Sequence, residues 1–130
     1  MIRAIALLAF IGGCAADETI SGYLDTGTTW QLTEMNGAPF GATATIQFPE
    51  EGSVTGKAPC NRYTASQAAP YPWIDIGPIA ATKLACPELA AEGTFFAALD
   101  AMTLAEVSGP VLILNGENGE EMIFTALPGE

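Results

Sequence analysis

Two cysteines, Cys60 and Cys86, constrain this chain more than any other pair of residues, because each sits where the backbone has to change direction. Cys60 lies within Gly56 to Tyr63, whose Gly, Pro, Asn and Arg suit a tight bend better than a strand centre. Cys86 directly precedes Pro87, which suits the first position of a helix, where a missing N–H costs nothing and φ is already near the helical value. A disulfide between them would tie a sheet bend to a helix start and, on the chain-entropy account, contribute roughly 3–4 kcal/mol. Two buried free thiols are the other reading the residues allow.

The total of three cysteines is odd, which in an exported chain asks for a separate fate for one thiol. Residues 1–13 suggest it. Arg3 precedes an apolar run from Ala4 to Ile11, much shorter than the about 20 residues that span a bilayer, so this stretch reads as a processing signal and not as a transmembrane helix. Its end, Ile11-Gly12-Gly13-Cys14, resembles a bacterial lipobox, which implies cleavage before Cys14 and a lipid on its sulfur. An ordinary secretory signal cleaved nearby is the alternative. An Asp directly after a lipidated Cys favours inner-membrane retention; here the residue is Ala15, so the resemblance implies an outer-membrane lipoprotein facing the periplasm. Residues 14–28 are small, polar and acidic, with Asp17, Glu18 and Asp25, and read as a flexible tether on which Tyr23 and Leu24 are the residues able to dock. Residues 29–130 have the size of one domain with one core.

Within that domain the hydrophobic period is mostly two. Trp30 to Met35 alternates large apolar with polar residues, and Asn36-Gly37 follows as a turn signal. Ala44 to Phe48 alternates likewise, and Glu50-Glu51-Gly52 leads into Ser53 to Gly56, where the glycine supplies a positive φ or a close backbone approach. Residues 64–72 predict an edge strand and loop; 73–77 and 78–82 predict a strand kinked at Gly77-Pro78. Pro87 to Met102 predicts the one helix, with Leu89, Phe96, Leu99 and Met102 on a stripe, Phe95 beside it, and Gly93 marking a close contact. Residues 104–107 predict a strand, and 111–115 with 121–125 a final hairpin. These elements make an α+β fold, predominantly β: a curved antiparallel sheet or cracked barrel of seven to eight strands packed on one helix. Glu92 lies on the buried side of that helix or its margin, and Arg62 is its expected ion-pair partner because the guanidinium binds a carboxylate in bidentate fashion.

Trp30-x-Leu32, Asn36-Gly37, Ile46-x-Phe48, Gly52-x-Val54-x-Gly56, Cys60-Asn61-Arg62-Tyr63, Thr82 to Pro87, then Glu92, Phe95, Leu99 and Leu112-x-Leu114 resemble the META domain or HslJ-like family, in the family's order across nearly the whole domain. The chain departs from the family pattern at Pro59, where Gly is common, and at Ala65 or Ser66, where a bulkier residue is common. The resemblance implies a cracked, strongly curved antiparallel barrel on one helix. It also implies an envelope or secreted protein without an established reaction, in a family partly linked to heat response, antibiotic tolerance or motility. The barrel is similar in shape to type III secretion pilot lipoproteins, which bind a partner's segment or lipid in the crack.

Chemistry narrows the function classes further. The chain has no histidine, so His-based triads, Cys-His dyads and His-ligated zinc sites are excluded, and neither metal nor cofactor is expected. Residues 115–121 lack the residue order of a calcium loop and read as a hairpin turn. A formal net charge of -11 disfavours nucleic acid and anionic lipid surfaces as partners. The expected function is therefore a monomeric, non-catalytic binding or stress-related chaperone-like module, held at the membrane through Cys14, that takes an envelope protein, peptide or lipid. Its candidate surface is Asn61, Arg62, Tyr63, Trp73 and Lys83. A carboxylate-based envelope enzyme or an enzyme inhibitor is the alternative.

Overall fold

The computed structural model describes residues 16–129; the expected signal segment and the lipidation site Cys14 lie outside the described residues. In chain order the elements are β1 (Trp30–Met35), β2 (Ala38–Pro39), β3 (Thr45–Ile46), β4 (Gly52–Lys57), β5 (Arg62–Gln67), β6 (Ala80–Ala81), α1 (Leu89–Asp100), β7 (Met102–Ser108), β8 (Val111–Gly116) and β9 (Glu121–Ala126). One antiparallel sheet runs β2-β1-β9-β8-β7 with β3 also on β1, and a second runs β4-β5-β6. A bridge between Gln47 and Thr55 stitches the two sheets together, and one between Trp73 and Leu104 brings the chain beyond β5 back to β7. The outcome is a curved, open assembly of the α+β class, predominantly β, and not a closed barrel.

Alternation explains what the curved sheets enclose. Trp30, Leu32, Ile46, Val54, Tyr63, Leu112, Leu114, Met122 and Phe124 point inward at every second position, and α1 adds Phe95 and Leu99. The turn after β1 uses Asn36 and Gly37 at φ 53° and 83°, as a two-residue hairpin loop requires. Gly56 meets its expected role by close approach. It faces Tyr63 across the β4–β5 ladder, and the Tyr63 hydroxyl crosses it to donate to the Thr45 carbonyl at 2.7 Å. A Cβ on Gly56 would fall 2.7 Å from that hydroxyl and overlap the Thr45 carbonyl oxygen. Burial pushes the Tyr63 phenol far above its ordinary pKa, so it stays a donor.

Four expectations need correction. The helix is shorter than residues 87–102: Met102 already belongs to β7, and Leu89 is 47% exposed. Its buried stripe is Glu92, Phe95 and Leu99, because the inward carboxylate sets the rotation of the helix. Gly93 meets no contact; the space a Cβ would take is open. Residues 73–77 form isolated bridges at Trp73 and Ile76 instead of a strand. There the buried Gln67 side chain replaces a ladder, accepting from the amides of Ala69 and Asp75 at 3.0 and 2.8 Å.

The packed part also begins before residue 29. A short 3-10 helix, Ile20–Tyr23, buries Ile20, and Tyr23 stacks on Tyr71 at 4.5 Å. The Tyr71 amide donates to the Glu18 carbonyl at 2.8 Å. Burial works against charge on Asp17, but hydrogen bonds from Ser21 and Thr19 outweigh it and hold the carboxyl below its ordinary range. Ile20, the Tyr23–Tyr71 stack and the half-buried Leu24 together seat a stretch that is otherwise polar.

The two glycines are expected to respond in opposite directions. Gly93→Ala should raise stability by about 1 kcal/mol, since the helix interior gains a better former at no steric cost. Gly56→Ala should lower the melting temperature by displacing Tyr63. Thermal melts of both variants check this; stabilisation by Gly56→Ala would contradict the assigned close approach.

Candidate functional site

The β4–β5 hairpin closes with Lys57 opposite Arg62, and the Ala58 amide donates to the Asn61 carbonyl at 2.7 Å. In so tight a loop the intervening amides have no ladder partner, and buried N–H groups must find an acceptor elsewhere. Glu92 on α1 is that acceptor. Its Oε1 receives the amides of Cys60 and Asn61, both at 2.8 Å, and its Oε2 receives Asn61 Nδ2 at 2.7 Å. Beside it, Cys60 and Cys86 form a disulfide, with Cα atoms 5.6 Å apart. The loop is thus fastened to the start of α1 by one covalent link and three charge-assisted hydrogen bonds.

Asn61 extends the connection to a third element. Its Oδ1 accepts from the Thr82 hydroxyl and the Leu84 amide, both at 2.7 Å, while Nδ2 also donates to the Leu84 carbonyl at 2.9 Å. All four hydrogen-bonding positions of the side-chain amide are therefore filled. Asn61 is 4% exposed and Tyr63 2%, so both act as internal supports that show only an edge to the adjoining recesses. The expected Arg62–Glu92 ion pair is likewise replaced. Arg62 alternates outward from Tyr63 and is exposed, whereas the backbone N–H groups of the bend reach Glu92 from within. Sequence reading missed Asn61 as the hub; the signal was an Asn beside a Cys in a bend, where short polar side chains bond to the backbone.

Two recesses flank this anchored corner. Between the segment from β6 to Ala85 and helix α1 lies a groove of about 440 Å³, lined by Ile79, Ala81, Lys83, Leu84, Leu89 and Phe96. Leu84 and Leu89 are 68% and 47% exposed there. On the outer face of β4–β5, a second recess of about 470 Å³ is lined by Thr45, Gln47, Thr55, Lys57, Arg62 and Thr64 among others. The structure brings Lys83 to the first recess and Arg62 to the second. Trp73, 57% exposed, sits apart from both, bridged to Leu104. Among the described residues no group of three or more metal-ligating side chains converges.

Comparison with known proteins adds the following. The META domain family model matches residues 24–128. A solved protein from Burkholderia xenovorans is 23% identical, with a TM-score of 0.63 over 95% of this chain and 99% of its own. A DUF4847 family protein from Bacteroides vulgatus is 15% identical, with a TM-score of 0.67 over 85% of this chain and 99% of its own. At these identities the likeness is one of fold. No curated protein matches.

Glu92 and Asn61 are expected to act as a unit. Glu92→Ala leaves three buried donors without their acceptor and should cost about 3–5 kcal/mol, as should Asn61→Ala, while the double variant costs much less than the sum. Arg62→Ala should stay within about 0.5 kcal/mol of the parent. Urea unfolding of the four proteins checks this, and additive losses for Glu92 and Asn61 would contradict the shared network.

Proposed function

The chain belongs to the META domain family, and from that premise we propose that it is a non-catalytic binding module, carried on the outer membrane by a lipid on Cys14, that captures an extended segment of an envelope protein. The observation that carries this reading is the groove beside α1, where Leu84 and Leu89 stand exposed next to Phe96 with Lys83 at the margin. Large apolar side chains gathered at a recess mark a surface that gains from being covered.

The adjoining strand supports an extended occupant. The Thr82 amide donates to the Arg62 carbonyl at 3.1 Å, so the alternation of an antiparallel pair turns the N–H and C=O of Ala81 toward the open edge of β6. A segment laid along that edge finds backbone partners on one side and the apolar wall of α1 on the other. The anchor rests on the lipobox-like Ile11-Gly12-Gly13-Cys14. The alternative of carboxylate catalysis gains no support from Glu92, whose oxygens already hold Cys60 and Asn61.

Leu84→Glu separates these readings, because the side chain is exposed and its backbone bonds to Asn61 do not depend on it. Affinity capture from envelope extract, with mass spectrometry of proteins and lipids, is expected to yield a partner that the variant loses at unchanged melting temperature. Identical profiles for parent and variant would remove the groove from the function.

A further inference from the structure

Every Lys and Arg of this acidic chain other than Arg3 lies around the same corner. Lys57 and Arg62 stand directly opposite each other across β4–β5, and Arg62 in turn is bonded to Thr82, the neighbour of Lys83. Like charges in directly opposite positions destabilise a strand pair. With 15 Asp and Glu in the sequence, a neutralising carboxylate would be easy to supply. Yet carboxylate oxygens among the described residues accept from backbone amides, hydroxyls and Asn61, never from a lysine or arginine. Glu50 and Glu51 precede β4 at its far end, away from Lys57.

The surface between and beyond these cations is rich in hydroxyls. Tyr63 and Gln67 face inward, so Arg62 and Thr64 face outward, with Lys57 and Thr55 across from them on the same face. The Thr45 hydroxyl accepts the Lys57 amide at 3.0 Å and keeps its own proton to donate. Gln47, which lines the recess, gives its Nε2 to Thr29 at 3.0 Å, and its side-chain carbonyl oxygen remains available as an acceptor. Methyl faces of threonine, alternating donors and acceptors, and two adjacent cations together match a polyhydroxy ligand that bears one anionic group.

We propose that the outer face of β4–β5 binds a small anionic saccharide, its carboxylate or phosphate set between Lys57 and Arg62 and its hydroxyls on Thr55, Thr64 and Gln47. The site is distinct from the groove beside α1 and does not depend on it. The net charge of -11 repels long polyanions, which restricts the ligand to a short one. The backbone beneath the site is held in place: Arg62 follows directly on Cys60 and Asn61, whose amides Glu92 accepts, so binding has only the exposed side chains left to order.

The test is a chemical-shift titration of the amide spectrum of the full chain with four probes: glucuronate, a glucose phosphate, glucose and acetate. At least one of the two sugar acids is expected to shift the amides of Lys57, Arg62 and Thr64, and which of them does so tells carboxylate from phosphate. Glucose and acetate should each bind about tenfold or more weakly, the weight of one charge-assisted hydrogen bond. Lys57→Gln and Arg62→Gln should each lower the affinity of the sugar acid by a similar factor, and raised salt should lower it further. Both side chains are exposed and their like charges oppose each other, so melting temperatures should hold or rise; Thr64→Val, which leaves the charges in place, should weaken the sugar acid but not acetate. No shift with either sugar acid, equal binding of glucose, or full affinity in the Lys57→Gln/Arg62→Gln double variant would overturn the proposal.

Discussion

The buried carboxylate of Glu92 is the point at which the sheet bend, the helix and the strand leading into it are made one body. A carboxylate this far from water is costly unless its lone pairs are filled. Here the donors are two backbone amides and one side-chain amide, all between 2.7 and 2.8 Å. Two of those donors are fixed by the hairpin loop itself, so their ordering entropy is shared with the fold and not charged to the contact alone. The Cys60–Cys86 bridge lies next to this contact, which lets a short loop remain in one conformation from both sides.

That anchoring decides what the neighbouring residues are free to do. Because Asn61 spends all its hydrogen-bonding capacity inward, Arg62 and Tyr63 must alternate about a fixed position, one to solvent and one to the core. Tyr63 then packs edge-on against Phe95 and Phe96 at 5.6 and 5.5 Å and reaches over Gly56 to β3. The same rigidity presents Lys83 and Leu84 on one side and Arg62 on the other. Both proposed binding surfaces are therefore edges of one structural unit, in a family whose model covers residues 24–128.

Much of this fold was legible in the sequence, and the parts that were not share a physical cause. Period-two alternation located β1 and β3, apolar runs on either side of a turn located β8 and β9, and bend and helix-start residues located the two ends of the disulfide. Glu92 was placed on the buried side or its margin by its spacing from Leu89 and Phe96, and the structure puts it fully inward with Phe95 and Leu99 while Leu89 is exposed. Its partner was misassigned to Arg62, since a list of side-chain charges omits the backbone N–H groups that a bend leaves exposed to an acceptor. Similarly, composition marked residues 14–28 as a tether with Tyr23 and Leu24 able to dock; Tyr23 does stack, on Tyr71, but the buried Ile20 that seats the stretch was not singled out. Long-range stacking of this kind leaves no local periodicity to read.

Native-state hydrogen exchange at the amides of Cys60 and Asn61 addresses the central claim most directly. Loop amides ordinarily exchange through local opening, far below the free energy of global unfolding. If Glu92 holds the bend as described, both should be protected to the same level as core amides such as those of Leu114 and Phe124, and should respond to denaturant with the global slope. Rapid, denaturant-independent exchange at Cys60 and Asn61 with the core still protected would contradict the account.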